Sequence, residues 1–403
     1  MQTGTIRVLD YWAGVPLCAL LTGVRRLLPA RRRAPQRILF LKFIEQGATV
    51  LAQDAIARTA ARVGRENLFF CVFESNRAIL DLLGAVPPAN VLTIRDRRLV
   101  TFLLDFLRAL VAMRSRQVDT VIDLEFFSRA SAIFAFLSGA TTRVGLHRFT
   151  GELPYRGDLM THRIQYSPHA HISLQYALLA EAAFLEPIDE PLLKFPLRQV
   201  AQPAPLAQFV PTDAEVAVMR SRLCSSGAPA SPIVLLNPNA SDLLPLRKWD
   251  RARFVELAKR TLAAYPAARI GITGASVEQP AAEQLCAEIG ARDRVISFAG
   301  KTSLRELLTL YTLADVLVTN DSGPAHFASL TPVHTVVMFG PETPRLFGSL
   351  APSTTIIWKE LACSPCVSVF NHRLSPCRNN VCMQTITVEE VFDAVSRAVT
   401  ARR

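Results

Sequence analysis

Between Asp321 and His326 the chain sets an acid, a hydroxyl, a glycine and an imidazole within six positions, Asp321-Ser322-Gly323-Pro324-Ala325-His326. An apolar run, Ala314 to Thr319, precedes them, with the composition of a buried parallel strand. Asp321 and Ser322 are helix-capping residue types, and Pro324 suits a first helical turn. A helix starting here would aim unbonded N–H groups and the positive end of its dipole at the carboxyl edge of a sheet. Open α/β proteins hold phosphate-bearing ligands at that edge. His326 would add one more donor. The expected chemistry is the holding of a diphosphate; the plainer alternative is an ordinary loop beside a core histidine.

A second polar loop, Asn237-Pro238-Asn239-Ala240-Ser241, follows the strand Ile233 to Leu236 and leads to Arg247-Lys248-Trp249. Asn239, Ser241, Arg247 and Lys248 could bind a donor ligand, the two cations neutralising its phosphates. Alternatively they are a solvated charge pair beside a packed tryptophan. Strand Ile270 to Thr273 ends at Gly274, and Glu278 follows as a carboxylate for a ribose or base, or as a simple helix-start acid.

Group transfer from a nucleotide also needs a base for the attacking hydroxyl. In the first half of the chain, Glu45 stands in the turn that contains Gly47, just after a strand. Asp123 and Glu125 follow another strand and are the alternatives. Together with Arg129 they are candidate acceptor-binding residues. Arg143, His147 and Arg148 extend the basic set that could receive a phosphorylated lipid or sugar.

These residues need two similar scaffolds. Strands at residues 37–43, 68–73, 90–94, 120–124 and 142–146 alternate with helices at 50–62, 99–116, 131–137 and 169–184, a βαβ rhythm that predicts a parallel sheet covered on both faces. The helix at 99–116 carries apolar residues at helical spacing, Phe102, Leu103, Phe106 and Leu110. Six prolines fall between Pro187 and Pro211. A second rhythm then runs from Ile233 through helices and strands at 253–264, 269–273, 280–289, 295–298 and 304–310. The expected division is a basic segment 1–36, a first domain 37–195, a linker 196–230 with a helix near 213–223, and a second domain 231–403. With 403 residues, half of them apolar, there is material for two cores. No Gly-x-Gly-x-x-Gly or Walker loop occurs, which argues against a nicotinamide dehydrogenase or an ATPase.

The formal net charge is +11. Arg25, Arg26, Arg31, Arg32, Arg33 and Arg37 cluster near the start, and no nucleic-acid module accompanies them. The uncharged stretch Tyr11 to Val24 is short for a bilayer span, and signal-peptide features are missing. Residues 1–36 therefore read as an interfacial, amphipathic extension on an anionic membrane surface, or else as a helix packed on the protein itself. Cys363, Cys366, Cys377 and Cys382 are spaced C-x2-C-x10-C-x4-C, compatible with structural zinc, with simple packing or with a disulfide. Cys18, Cys71, Cys224 and Cys286 read as buried thiols.

The stretch Asp321, Ser322, Gly323, His326, then Pro332 and Phe339-Gly340-Pro341, resembles the signature of glycosyltransferase family 9, the heptosyltransferases. The resemblance extends from about Ile38 to the C-terminus. It implies a GT-B architecture, with two Rossmann-like domains facing a central cleft. It further implies an inverting transfer with no metal or other cofactor required for catalysis, from a nucleotide-sugar donor, ADP-heptose, to a lipid-linked saccharide such as lipopolysaccharide core. The implied location is the cytoplasmic face of the inner membrane. The family carries a basic residue shortly before tryptophan, matched here by Arg247. It also carries an Asp directly after the glycine of the first strand–helix turn, where this chain has Ala48. Glu45 is then the candidate replacement base. The alternative is a relative that binds donor and has lost catalysis.

Overall fold

A computed structural model describes residues 8, 10–28, 33–149, 155–197, 200, 205–223, 231–240, 244–371 and 373–402. Ser241, Cys224, Arg31, Arg32 and parts of the 1–36 and 196–230 segments lie outside the described residues. The chain divides into two compact units, Met1–Pro205 and Leu206–Arg403.

Unit 1 begins with α1 (Gly14–Leu27) and continues as β1 (Ile38–Leu41), α2 (Gln46–Leu51), α3 (Gln53–Val63), β2 (Leu68–Phe73), α4 (Arg77–Leu83), β3 (Val91–Ile94), α5 (Leu99–Ser115), β4 (Thr120–Asp123), α6 (Arg129–Leu137), β5 (Thr142–Leu146), β6 (His162–Ile164) and α7 (Ile172–Ala182). Unit 2 runs α8 (Asp213–Leu223), β7 (Ile233–Asn237), α9 (Arg251–Ala264), β8 (Arg269–Ile272), α10 (Gln279–Ile289), β9 (Val295–Ser297), α11 (Leu304–Leu313), β10 (Val316–Asn320), α12 (Gly323–Ala328), β11 (His334–Phe339), α13 (Pro344–Phe347), β12 (Thr354–Trp358), α14 (Val381–Gln384) and α15 (Val388–Ala401).

Among the described residues each unit holds one six-stranded sheet, ordered β3-β2-β1-β4-β5-β6 and β12-β11-β10-β7-β8-β9. All the strand pairs are parallel. Read from its own first strand, the second sheet repeats the order of the first. In each sheet the winding reverses direction beside the first strand, between β1 and β4 and between β7 and β10. At such a reversal the loops leaving neighbouring strands diverge and open a crevice at the carboxyl edge. The central strands are buried on both faces, as their continuous Ile, Leu, Val and Phe runs require.

Helix ends follow local chemistry. Asp250 caps α9, and Ser303 with Glu306, and Thr387 with Glu390, form reciprocal capping boxes on α11 and α15. The single helix expected at 50–62 is instead two, divided at Ala52, because α2 starts earlier in the Glu45–Gly47 turn. Leu103 is not a core residue. Phe102, Phe106 and Leu110 face the core with Ala109 and Met113, and Leu103 lies on the opposite side of α5. The helix α8, within the span read as linker, packs on α11 of unit 2.

Helix α1 packs against α6. Cys18 and Leu21 join the core, and Thr22 Oγ1 donates to the Cys18 carbonyl at 2.7 Å. Ahead of the helix, the Asp10 carboxylate lies 2.7 Å from Arg129 Nη1. The other side of α1 is open to solvent, with Leu20 64% exposed.

Candidate functional site

In unit 2 the polar residues gather where the sheet winding reverses. Asn320, fully buried at the end of β10, holds the loops together. Its Nδ2 donates to the carbonyls of Pro238 (3.0 Å) and Asn239 (3.2 Å), and its Oδ1 accepts from Trp249 N–H at 3.0 Å. Trp249 is anchored from below by donating Nε1–H to the Ile386 carbonyl at 2.9 Å. The loops after β7 and β10 are thus tied together through one amide side chain.

Arg247 leaves this frame toward two carboxylates. Its Nε stands 3.2 Å from Asp321 Oδ2, and its Nη2 stands 2.7 Å from Glu342 Oε2. Glu342 is 1% exposed, and burial pushes its carboxyl above the ordinary range against the pull of Arg373 and Arg247. The guanidinium of Arg247, expected at a donor phosphate, is paired here with two protein carboxylates, and Lys248 next to it is exposed. Asp321 turns to Arg247, and the N-cap of α12 is Ser322, without a side-chain capping bond. Ser322 Oγ instead donates to the Asn320 carbonyl at 3.2 Å. Helix α12 is only six residues long, which limits its dipole. Gly323 opens it, and His326 is buried in it.

Asn239 and Glu278 meet above Gly274. A Cβ there would lie 2.8 Å from Asn239 Nδ2 and 3.0 Å from Glu278 Oε2, so only glycine lets both side chains approach. Glu278 also accepts from Ala275 N–H at 2.6 Å, which fixes its orientation. Gly340 has a comparable reason. A Cβ would sit 2.4 Å from Met383 Sδ, so the Phe339-Gly340-Pro341 turn can carry Glu342 inward only over a bare backbone.

In unit 1 the corresponding reversal lies between β1 and β4, and it gathers carboxylates. Glu45 has φ 71°, a left-handed backbone that costs a non-glycine residue on the order of 1–3 kcal/mol. The side chain, a quarter exposed, lies 3.6 Å from Lys42 Nζ. Lys42, 1% exposed, also meets Glu125 Oε2 at 3.1 Å. Burial alone would lower the Lys42 pKa, but Glu125, Tyr176 and Glu45 outweigh it, and the net direction is upward. Glu125 accepts from Phe43 N–H (2.7 Å) and Ile44 N–H (3.3 Å); burial raises its pKa, with Lys42 opposing. Glu125 therefore fixes the turn from below.

Asp123 is fully buried. It accepts from Glu125 N–H (3.0 Å) and Ser131 Oγ (2.8 Å) and pairs with Arg156. Of the three carboxylates Glu45 alone is open to water; Asp123 and Glu125, expected at an acceptor site, are buried and paired with Arg156 and Lys42. Arg129 is also committed, to Asp10 and to the Tyr155 carbonyl at 2.7 Å. Arg143 donates to the carbonyls of Leu159 (2.7 Å) and Ala140 (2.5 Å), and burial lowers its pKa to about 10. A separate pocket of about 380 Å³ brings Arg26 of α1, His147 and Arg148 together with Arg156, which is itself buried. Burial lowers the His147 pKa to about 4, so its ring is neutral near pH 7.

Lys42, Arg156 and Glu342 were not recognised from sequence. Lys42 was readable as a charge following an apolar strand, three positions before Glu45. Nothing local marks Arg156 or Glu342, whose partners are distant in sequence.

The four clustered cysteines are free thiols. Ser375 Oγ donates to Cys366 Sγ at 3.3 Å, and Cys382 packs under Gly340. Among the described residues no three His, Cys, Asp or Glu side chains are grouped to hold a metal ion, so the spacing does not form a closed thiolate site.

A sequence model of glycosyltransferase family 9 (heptosyltransferase) matches residues 107–373. The lipooligosaccharide heptosyltransferase 2 of Campylobacter jejuni subsp. jejuni serotype O:6 is 28% identical over 177 residues, 42% of this chain and 52% of the relative. The chain thus spans about half the length of the curated relatives it matches. Among solved structures, the Escherichia coli ADP-heptose lipopolysaccharide heptosyltransferase II superposes with TM-score 0.70 at 18% identity, covering 91% of this chain and 99% of that one. The E. coli heptosyltransferase WaaC with ADP gives TM-score 0.61 at 17% identity, covering 90% and 99%. The fold is the GT-B fold of these structures. With the signature residues joined through Asn320 and Arg247 at the reversal of its second sheet, the chain belongs to glycosyltransferase family 9.

Proposed function

We propose that the protein is an inverting glycosyltransferase that moves a heptose or related sugar from a nucleotide diphosphate donor to a lipid-linked saccharide. The observation that carries this is the signature Asp321-Ser322-Gly323-x-x-His326 at the winding reversal of unit 2, in a chain of family 9. The WaaC complex with ADP supports ADP as the nucleotide, and hence ADP-heptose as donor. The relatives named for lipooligosaccharide support lipopolysaccharide core as acceptor.

In this reading Asn239 and Glu278 hold the nucleoside. Lys248, His326 and the first N–H groups of α12 face the diphosphate, and Asp321 is held in place by Arg247. Ser241 belongs to the same loop as Asn239. No catalytic metal is invoked, because these donors meet the charge on the leaving group. The acceptor oxygen attacks the anomeric carbon on the side opposite the diphosphate, its proton passes to Glu45, and the bond to the nucleotide breaks with inversion. A phosphate on the acceptor would enter the pocket of Arg26, His147, Arg148 and Arg156. The exposed side of α1, with Trp12 and Arg26, would rest on the anionic inner face of the inner membrane.

A second reading is favoured by Ala48, which stands where the family carries its carboxylate. It is a donor-binding relative without transfer. Titration calorimetry with ADP tests the common part: Asp321→Ala and His326→Ala should each weaken ADP about tenfold or more, with far-UV circular dichroism showing that each variant remains folded. Unchanged affinity in both would overturn the donor site. Donor hydrolysis by the native protein would separate the enzyme from the binding relative.

A further inference from the structure

Helix α5 is apolar on both of its long sides. The inner side, with Phe102, Phe106, Ala109, Leu110 and Met113, belongs to the core of unit 1. The outer side carries Leu99, Val100, Leu103, Leu104, Leu107 and Val111, each between 47% and 70% exposed. Neighbours on this side are spaced by three or four residues, so they form one stripe along a helix of about 25 Å. Single exposed leucines are common on soluble proteins, but a continuous stripe is not. A helix apolar all round ordinarily lies inside a core or against lipid. No described helix is long and apolar enough to cross a membrane.

The charges around the stripe are mostly positive, the half-buried Asp96 just before the helix being the exception. The helix's single carboxylate, Asp105, is buried between Arg95 (2.7 Å) and Arg108 (3.3 Å). Arg97, Arg98, Arg108 and Arg114 are exposed at its ends and flank. A second copy of the chain would set these cations against one another, whereas anionic headgroups complement them. The stripe also has a neighbour of the same kind. Helix α6 packs against both α1 and α5, and residues of all three share one core cluster. The outer side of α1 adds exposed Leu20 and Leu27, Trp12 stands exposed just before the helix, and α1 itself carries no acid.

We propose that the outer stripe of α5 lies in the interfacial layer of an anionic bilayer, as a second lipid-contacting helix beside α1. The proposal rests on the reading of the protein as acting at a membrane surface, but not on α1 being its anchor. It gives unit 1 two roughly parallel tasks on one element: the inner face of α5 holds the sheet that presents Glu45, and the outer face holds lipid.

The test uses full-length protein and sedimentation with vesicles of neutral phospholipid alone or with about one-third anionic phospholipid. Three variants are compared with the native chain: Leu104→Glu with Leu107→Glu on α5, Leu20→Glu with Leu27→Glu on α1, and all four together. Because the changed side chains are exposed, melting temperatures should stay near native. The α5 variant should bind anionic vesicles at least ~10-fold more weakly, since two apolar side chains lose their burial in lipid. The fourfold variant should lose binding, and the native chain should prefer the anionic vesicles. An α5 variant that binds as the native chain does would overturn the proposal, as would a native oligomer that the α5 changes dissociate without altering vesicle binding. If the α1 variant alone binds normally, the anchor assigned to α1 fails while α5 stands.

Discussion

Arg247 Nη2 and Glu342 Oε2 stand 2.7 Å apart, joining the loop after β7 to the turn after β11. The same guanidinium meets Asp321 after β10, so one cation is shared by two buried acids from different loops.

Removing that cation should be costly. Arg247→Met leaves Asp321 and Glu342 buried without the charge they share, and we expect a loss of about 3–5 kcal/mol in urea unfolding. Adding Glu342→Gln removes one of the repelling acids and should recover part of it. If the double variant is no more stable than Arg247→Met, the two residues are not coupled.

The base can be tested through its neighbour. Glu45→Gln should slow transfer by about a hundredfold or more while leaving ADP affinity near native. Ala48 is half-buried in the first turn of α2, where an acid is tolerated by the helix dipole. Ala48→Asp on the Glu45→Gln background should therefore restore part of the rate. Single-turnover measurements decide it; a Glu45→Gln protein with native turnover would remove Glu45 from the chemistry.

His147 provides a pH signature. Its pKa is lowered from 6.5 to about 4 by burial, with Arg163 adding to the effect. Between those values the unfolded chain is protonated and the folded ring is not, so stability should fall as pH drops through this window. His147→Gln should flatten the dependence between pH 6.5 and 4 in urea titrations. Equal slopes in both proteins would show that another group carries the acid sensitivity.

The first sheet's strands were largely readable because each is a short apolar run bounded by turn residues, and β2 was bounded to the residue. The edge strands β6 and β12 were missed. His162–Ile164 is only three residues, and Thr354–Trp358 is partly exposed, so neither has a continuous apolar run. The polar loops after β7 and β10 were legible because their residue types cluster locally. The partners of Arg129, Asp123 and Arg247 were not, because a charge's partner is set by packing: Arg129 reaches Asp10, Asp123 reaches Arg156, and Arg247 reaches Glu342. Helical spacing alone does not say which side of α5 enters the core, because α5 has two apolar sides, and Leu103 lies on the outer one.

The matching strand order of the two sheets has a consequence for how such a chain can change. The same winding is used twice, yet its first reversal carries a lysine between two carboxylates and its second an arginine between two carboxylates beside a cluster of amides. The polar residues of each unit are therefore written in short loops, resting on strands that do not depend on them. Diversification restricted to the segments following β1, β4, β7 and β10 would change those residues with the two frameworks inherited unchanged.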